Sequence, residues 1–328
     1  MHILSFTAKA AAMLFLAECL LSGVGSAKAA DMAPSVKQSV TIPTAAALKY
    51  VVFSTKAAAA PASLRSFAEQ AVSELSEQDS FKNWKQATLT YDPLGPGTHS
   101  WLATVSQNGK PVGYLILTST DDGGYMLSEY GQDESMPYNT QALYNRLKQL
   151  GILTAGGKLP AGVTISAQYS ALLPVWKVTL PGKKAAVYIH GITAEELPLG
   201  AVASDPVSGG LTPRSGLHLT ATTLPKQQRT SDPYDNLLWL TSPKLTFTGS
   251  GDLIRFVTTE EQSLVFTSPG HNANYGAPFA ITGLHAWSSG DQGGTVLYAA
   301  SGNGGNRFLP AASLMAHGEF RSLNLSQL

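Results

Sequence analysis

Residues 81–130 carry four consecutive segments with the apolar patterning of strands, separated by tight turns. The turns fall at Asn108-Gly109 and at residues 121–124, where Asn, Asp and Gly accept the positive φ angles that short hairpins require. Residues 112–117 are apolar on both faces, as in a central strand. In the second segment, alternate residues share one face: Trp101, Ala103 and Val105. The stretch therefore predicts a four-stranded antiparallel meander.

A helix is predicted directly before the meander, at residues 61–78. Pro61 suits its first turn, where the missing N–H has no helical partner to lose. One apolar stripe recurs at three- and four-residue spacing: Leu64, Phe67, Ala68, Ala71 and Leu75. Because this stripe has to be buried, we expect the helix to pack on the meander and form an α+β layer.

A second helix is predicted after the meander, at residues 138–150. Asn139 or Thr140 can cap its beginning, and Gly151 suits its end. Three strand-like runs follow, at residues 164–169, 174–180 and 185–192. Residues 61–203 are therefore interpreted as one α+β domain.

Residues 204–236 are interpreted as a linker, because large apolar side chains are few there while Gly, Pro, Thr and Ser are frequent. Short strand-like runs resume afterwards, at residues 244–248, 253–258, 263–267, 279–284, 295–300 and 307–309, with a short helix at 311–317. The predicted fold class is α+β: a helix packed on an antiparallel β-meander, followed by a small mainly-β C-terminal domain at residues 237–328.

The first thirty residues have the pattern of a signal peptide. Lys9 precedes a mostly apolar run at residues 10–21, and a small-x-small site predicts cleavage near Ala29–Asp31. Residues 31–60 are interpreted as a tether. Cleavage would remove Cys19, the single cysteine of the chain, so we expect a secreted or cell-envelope bacterial protein without disulfides.

The composition excludes several classes of partner. Apolar residues make up 44% and charged residues 13% of the chain, and the formal net charge is zero. This balance predicts a buried core rather than disorder, and it gives no basic surface for nucleic acid. The apolar run near the amino terminus is too short to cross a bilayer, so no membrane span is expected in the mature chain.

No catalytic, cofactor or metal motif is recognised in the sequence. His271 and His285 lack a standard ligand spacing, and residues 121–124 and 291–294 do not continue into calcium-binding loops. A G-x-S-x-G nucleophile motif is missing as well. We therefore expect a protein that is not an enzyme and that needs no cofactor.

One polar loop with an aromatic residue is the first candidate for a surface contact. It contains His271, Asn272, Asn274 and Tyr275. Aromatic and amide side chains together suit contacts with sugars or peptides, and an ordinary loop is the alternative.

Residues 64–137 resemble the module that precedes secreted bacterial cysteine peptidases of the streptopain and C39-like kinds. The matching pieces are Phe81-x-x-Trp84, Tyr91-Asp92, the hairpin at Asn108-Gly109-Lys110, the run 112–118, and Leu127-Ser128-Glu129-Tyr130-Gly131. The resemblance implies a propeptide-like domain.

A second resemblance, to the closing hairpin of PepSY-type units, covers residues 174–178 and 186–195. That family usually has an aspartate where His190 stands, and Thr-Gly-Glu where this chain has Thr193-Ala194-Glu195. PepSY-type units are typical of peptidase propeptides, so the resemblance implies inhibition or assisted folding of a peptidase.

Residues 279–284 resemble the strand that follows the catalytic histidine in C39-like papain folds. The histidine would lie six residues before Gly283, where this chain has Ala277. A cysteine peptidase needs a thiolate and a base in contact. The resemblance therefore implies an inactive peptidase homologue.

These patterns lead to one expected function and two alternatives. The first is a peptidase regulator or folding and binding module, with a secreted peptidase or another extracellular protein as its partner. The alternatives are an extracellular glycan- or peptide-binding protein that uses the C-terminal sheet, and an inactive peptidase homologue.

Overall fold

Four consecutive antiparallel strands form the predicted meander in a computed structural model of the chain. They are β1 (Thr88–Leu94), β2 (Ser100–Gln107), β3 (Lys110–Ser119) and β4 (Tyr125–Gln132). The structure describes residues 59–95, 99–132, 136–170, 172–198, 210–212, 217–223, 232–235, 237–259, 262–289, 294–301 and 307–324. The predicted signal peptide and nearly all of the predicted tether lie outside these residues.

Helix α1 (Ala62–Ser76) covers one face of the meander, as its apolar stripe predicts. It is followed by a 3-10 helix, Asp79–Trp84, which buries Phe81 and Trp84 instead of extending the first strand. The alternation predicted for β2 is confirmed, since its odd-numbered apolar residues join the core under α1 while Leu102 joins the core on the opposite face.

Helix α2 (Thr140–Gln149) and a separate three-stranded sheet cover that opposite face. The strands are β5 (Thr164–Ser170), β6 (Leu173–Thr179) and β7 (Val187–His190), in the order β5-β6-β7. Asn139 caps α2, because its side-chain oxygen accepts hydrogen bonds from the N–H groups of Gln141 and Ala142. All three runs predicted in this region form strands.

The remaining elements come from the second half of the chain. They are β8 (Leu217–Thr223), a 3-10 helix (Leu237–Thr241), β9 (Lys244–Leu245), α3 (Ser250–Thr259), β10 (Gln262–Thr267), α4 (Asn272–Tyr275), β11 (Phe279–Ser289), β12 (Val296–Ser301), β13 (Arg307–Pro310), α5 (Ala311–His317) and β14 (Glu319–Asn324). Together with the first half, they make a mixed, mainly-β fold.

The meander and the C-terminal strands share one eleven-stranded sheet. Its order is β1-β2-β3-β4-β13-β12-β11-β10-β14-β9, and β8 pairs with β11 beside this path. The two regions meet where β13 pairs with β4, through Arg307 with Gly131 and Phe308 with Tyr130. Strand β8 lies within the predicted linker. Much of that linker falls outside the described residues, so the division into domains stays a prediction.

The predicted strand at residues 253–258 is wrong, because this segment lies in α3. Leu253 and Val257, four residues apart, are both buried, as on one side of a helix. Asp252 accepts a hydrogen bond from the backbone N–H of Thr248 and stabilises the start of the helix. Among the described residues, none of the helices has the length and apolar character needed to span a membrane.

Candidate functional site

A groove of about 910 Å³ runs between α1 and the first strand of the sheet. One wall is the side of α1 that lies next to its buried stripe, and the floor is formed by the start of β1 with Trp84. The lining residues are Arg65, Glu69, Val72, Ser73, Ser76, Trp84, Lys85, Gln86, Ala87, Thr88, Leu89 and Tyr91. The groove therefore lies beside a sheet edge.

The floor of the groove is fixed by the 3-10 helix that precedes β1. Trp84 is almost fully buried, packs edge-on against Phe81 at 4.9 Å between ring centroids, and donates from Nε1 to the carbonyl of Val112 at 3.2 Å. Gln86 then adopts a left-handed φ of 61°. This turn ends the helix and directs the chain into β1.

Strand β1 is the first strand of the sheet, and one of its edges has no strand partner among the described residues. Its register on β2 is regular, and Pro93 lies within it opposite Trp101. Because proline has no N–H, Pro93 cannot donate a hydrogen bond to β2. In an antiparallel pair, alternate residues direct their backbone groups toward the partner strand, so Pro93 and every second residue from it direct theirs away from β2. Gly95, two residues after Pro93, also directs its backbone groups away from β2. Its N–H donates to the carbonyl of Ala167, and its carbonyl accepts from the N–H of Tyr169.

The residues of β1 whose backbone groups point away from β2 are therefore Leu89, Tyr91 and Pro93. Among the described residues, no other strand pairs with this part of the edge. The side chains of Leu89 and Tyr91 are partly buried against the core under α1. N–H and C=O groups without a partner in the described part of the chain thus lie directly beside the groove, an arrangement that suits the addition of an extended strand.

The hydroxyl of Tyr91 is buried and has no hydrogen-bond partner among the described residues. Burial, followed by the charge of Glu69, raises the pKa of Tyr91 to about 12, with Arg65 opposing this shift. At neutral pH the hydroxyl therefore keeps its proton. A buried O–H donor without an acceptor costs folding free energy.

Three charged side chains line the groove: Arg65, Glu69 and Lys85. Lys85 also forms an ion pair at the surface with Glu77, at 3.3 Å, in which both side chains are more than half exposed. Such pairs are weak because water screens them. With Glu77, the partner of Lys85, included, the charges beside the groove sum to +2 − 2 = 0, so they favour neither sign of ligand.

A buried ion pair occupies the other face of the meander. Arg307 donates from Nε and Nη2 to the two carboxylate oxygens of Glu129, at 3.1 and 2.9 Å. Tyr114 and Tyr169 donate their hydroxyls to the same carboxylate, at 2.8 and 3.0 Å. Burial, followed by the Glu129 charge, raises the pKa of both tyrosines well above the ordinary value. Both carboxylate oxygens of Glu129 are hydrogen-bonded, and the cluster joins β3, β4, β5 and β13.

His285 forms a second buried polar contact, in the core under α1. Its Nδ1 lies 2.7 Å from the hydroxyl of Tyr130, which also accepts a hydrogen bond from Trp287 Nε1 at 3.1 Å. Its ring stacks on Phe308. Burial lowers the pKa of His285 to about 4, so the imidazole is neutral at pH 7.

His190, at the end of β7, acts as a backbone acceptor. Its Nδ1 accepts hydrogen bonds from the N–H groups of Ile192 and Thr193, both at 3.2 Å. A carboxylate at this position would accept the same two bonds. Burial, followed by the positive charge of Arg307, lowers the pKa of His190 to about 4.

The loop predicted as a surface contact folds as the short helix α4. His271 is exposed and Asn272 is half-buried, whereas Asn274 and Tyr275 are each 3% exposed. The oxygen of Asn272 accepts a hydrogen bond from Thr267 Oγ1 at 3.1 Å, and Tyr275 packs in the core. The four residues therefore do not share one exposed face, and contact of this loop with a partner stays a prediction.

The structure also places the position where the papain-like resemblance expects a catalytic histidine. Ala277 is buried there, directly before β11. Across the part of the chain that the structure describes, no group of three or more His, Cys, Asp or Glu side chains is arranged to hold a metal ion.

The groove was not among the sites predicted from the sequence. One signal pointed toward it: Pro93 within a strand-like run indicates an edge strand. The missing partner of the Tyr91 hydroxyl depends on how α1 packs, which the local sequence does not specify.

Comparison with known proteins gives no relative for this chain. No protein-family model matches it, and neither the curated proteins nor the solved structures contain a match.

Proposed function

We propose that this protein is a non-catalytic binding module that takes an extended polypeptide segment as an additional strand along β1. The observation that carries the proposal is the edge at Leu89, Tyr91 and Pro93 beside the α1 groove, with which no described strand pairs. Main-chain hydrogen bonds along such an edge supply affinity, and side-chain pockets beside it supply specificity.

The geometry of strand addition decides which partner side chains enter the groove. Residues directly opposite each other on neighbouring strands place their side chains on the same face of the sheet. The partner residues opposite Leu89 and Tyr91 would therefore point toward α1. Residues between them would point to the other face, beside β5. A segment of four to six residues covers this edge, at roughly 3.3 Å per residue.

We further propose that the partner is a secreted peptidase, which the module regulates or helps to fold. The sequence resemblance to peptidase propeptides supports this partner. Cys19 is the single cysteine of the chain and lies in the predicted signal peptide, which supports a regulatory rather than a catalytic role.

Amide hydrogen exchange tests the binding edge directly. In the free protein the N–H groups of Leu89 and Tyr91 should exchange fast, while those of Thr90 and Asp92, which face β2, should exchange slowly. Peptidases secreted by the source organism are then added as partners. Protection of Leu89 and Tyr91 on binding is the expected result. Binding that protects only amides elsewhere would exclude β1 as the docking edge.

An activity assay tests the partner class. Hydrolysis of a fluorogenic peptide by the same secreted peptidases is measured with and without the full chain. We expect inhibition, or a higher yield of refolded peptidase. The matched variant is Leu89→Pro, which removes an outward N–H and leaves the ladder to β2 unchanged, as Pro93 already does. If no secreted peptidase binds the wild-type chain, the peptidase assignment is wrong.

A second candidate function is supported by one exposed apolar patch near the 3-10 helix Leu237–Thr241. Four large side chains there are about half exposed or more: Tyr234, Leu237, Leu238 and Leu240. Large exposed apolar patches mark binding surfaces. This patch supports a C-terminal glycan- or peptide-binding role. The side chain of Tyr234 is held in place by a hydrogen bond from its hydroxyl to the carbonyl of Ala277, at 3.3 Å. A glycan array with the full chain, compared with Leu237→Glu, tests it.

A further inference from the structure

We propose that the edge of β4 at Leu127 is a second binding site for extended segments, and that residues 210–212 of the chain itself occupy this site as an autoinhibitory strap. The class of ligand is an extended segment that carries the dipeptide Gly-Leu, as the strap does. The site lies on a different strand from β1, so the inference does not depend on the function proposed for the β1 edge.

The strap pairs with β4 at a position that β13 does not reach. Strand β13 pairs with Gly131 and Tyr130 of β4, whereas Leu211 forms an isolated antiparallel bridge with Leu127. The N–H of Leu127 donates to the carbonyl of Leu211 at 2.8 Å. Among the described residues, no other backbone group pairs with this part of the edge. The strap therefore lies where an added strand would lie.

The second half of this bridge passes through the hydroxyl of Tyr298. In a regular antiparallel pair, two opposite residues exchange two direct hydrogen bonds between N–H and carbonyl groups. Here the N–H of Leu211 donates to the Tyr298 hydroxyl at 2.9 Å, and that hydroxyl donates to the carbonyl of Leu127 at 2.5 Å. These contacts use only the backbone of the strap, so any residue with a backbone N–H can make them.

Two features of the strap supply the specificity. The side chain of Leu211 is 1% exposed and belongs to the core under α1. Gly210 has no room for a side chain, because a Cβ there would lie 2.6 Å from the carbonyl oxygen of Leu127 and 2.4 Å from Cγ of Met126. The β4 edge thus accepts glycine followed by an apolar residue of the size of leucine.

The strap is held at one position, in contrast to the strands of the sheet. The described residues give it one bridge and one buried leucine, while β3 and β4 are joined by seven residue pairs. A contact this small opens more often than a sheet strand does. A partner segment of the same kind can therefore replace the strap, with an apparent affinity reduced because the site is free only while the strap is open.

A synthetic copy of the strap tests the site. The probes are the acetylated and amidated peptides SGGLTP, which copies residues 208–213, and SGALTP, in which alanine replaces the second glycine. Each is titrated into the isotopically labelled full chain, as the wild type and as Leu211→Asp, and amide chemical shifts are followed. The aspartate releases the strap, because an unpaired carboxylate is costly to bury.

The two proteins should differ in affinity and the two peptides in binding. SGGLTP should shift the amide of Leu127 in both proteins and should bind Leu211→Asp about tenfold or more tightly than the wild type, since no strap competes there. SGALTP should bind neither protein. If SGGLTP binds both proteins equally well, the strap does not compete and the autoinhibition is wrong. Equal binding of the two peptides would overturn the assigned class of ligand.

Amide hydrogen exchange tests the strap in the wild type, and it applies even if Leu211→Asp does not fold. The N–H of Leu127 should exchange faster than that of Leu115 in the central strand β3, and low urea concentrations should not change its rate, because the opening is local. Exchange of Leu127 as slow as that of Leu115, with the same urea dependence, would show that the strap opens only on global unfolding and would refute the inference.

The remaining outcome concerns the edge itself. If SGGLTP shifts Leu127 in neither protein, while the tryptophan fluorescence of Leu211→Asp shows that the variant is folded, the β4 edge is not a binding site. The amides of Leu89 and Tyr91 take no part in these measurements. Failure of the β4 site and failure of the function proposed for β1 are therefore observed separately.

Discussion

Glu129 and Arg307 lie 178 positions apart in the sequence and form a two-point ion pair with N–O distances of 3.1 and 2.9 Å. The carboxylate is fully buried, and the arginine side chain is 13% exposed. Arg307 also donates to the carbonyl of Leu172 at 3.1 Å. The pair therefore joins β4, β13 and the turn before β6 at the point where the two halves of the sheet meet.

Breaking this pair should strongly destabilise the protein. Glu129→Gln and Arg307→Met should each lower the free energy of unfolding by about 3–5 kcal/mol, because each leaves the other charge buried without its counter-charge. The double variant should lose less than the sum of the two single losses. Urea unfolding followed by tryptophan fluorescence measures these changes.

The matched control is the ion pair between Asp79 and Lys82, whose side chains are 91% and 66% exposed. Asp79→Asn should leave the unfolding midpoint essentially unchanged, because exposed pairs contribute little. Equal losses for Asp79→Asn and Glu129→Gln would contradict the role assigned to the buried pair.

The stability of the protein should fall as the pH drops from about 6.5 to about 4. His190 and His285 have an ordinary pKa of 6.5, which burial lowers to about 4 in the folded protein. The unfolded chain then binds more protons than the folded chain, so acid favours unfolding. Each histidine contributes a slope of up to about 1.4 kcal/mol per pH unit within this window.

Unfolding free energies measured between pH 7.5 and pH 4.5 test this dependence. His285→Phe should flatten the curve relative to the wild type, since phenylalanine can still stack on Phe308 but does not titrate. His218→Gln is the control, because the side chain of His218 is 65% exposed. A wild-type curve as flat as that of His285→Phe would show that the buried imidazole is not neutral in the folded protein.

His190 should tolerate asparagine better than alanine. Alanine leaves the N–H groups of Ile192 and Thr193 without their acceptor, which costs about 1–3 kcal/mol, and it also leaves a cavity. The asparagine oxygen occupies a position similar to that of Nδ1 and can accept both bonds. Thermal unfolding of His190→Asn and His190→Ala measures the difference, and equal losses would argue against the acceptor role.

Gly113 should not accept a side chain. A Cβ at this position would lie against the ring of Trp84 and 2.6 Å from the carbonyl oxygen of Gly131. Gly113→Ala should lower the free energy of unfolding by about 1–3 kcal/mol and shift the fluorescence of Trp84. Gly156→Ala is the control, since Gly156 has open space around its Cβ position. If Gly113→Ala left the free energy of unfolding and the fluorescence unchanged, Trp84 would be free to move away from position 113.

Local patterns predicted the first half of the fold well. The turn residues Asn108-Gly109 specify a tight hairpin, and the apolar stripe of α1 specifies a helix packed on one side. In the second half, apolar residues at positions 253, 254, 256 and 257 are compatible with a strand or a helix. Tertiary packing favours the helix, α3. Strand β14 contains few large apolar residues and depends on pairing with β10.

The candidate site depends on relationships that the local sequence does not contain. Pro93 indicates an edge strand, but only the packing of α1 shows that the Tyr91 hydroxyl has no acceptor among the described residues. Likewise, Glu129 within a strand-like run gives no sign of a partner near the end of the chain. Long-range pairing of this kind is set by tertiary packing rather than by local propensity.

The short β4–β13 ladder determines when the sheet can be completed during translation. Strand β4 is synthesised 178 residues before the arginine that completes its ion pair. At ribosomal rates this interval is roughly 10–35 s. Throughout that time the nascent meander exposes the part of the β4 edge that later pairs with β13, and Glu129 lacks its counter-charge. The central sheet is therefore completed only near the end of translation, and a chain truncated before β13 leaves β4 as a second open edge.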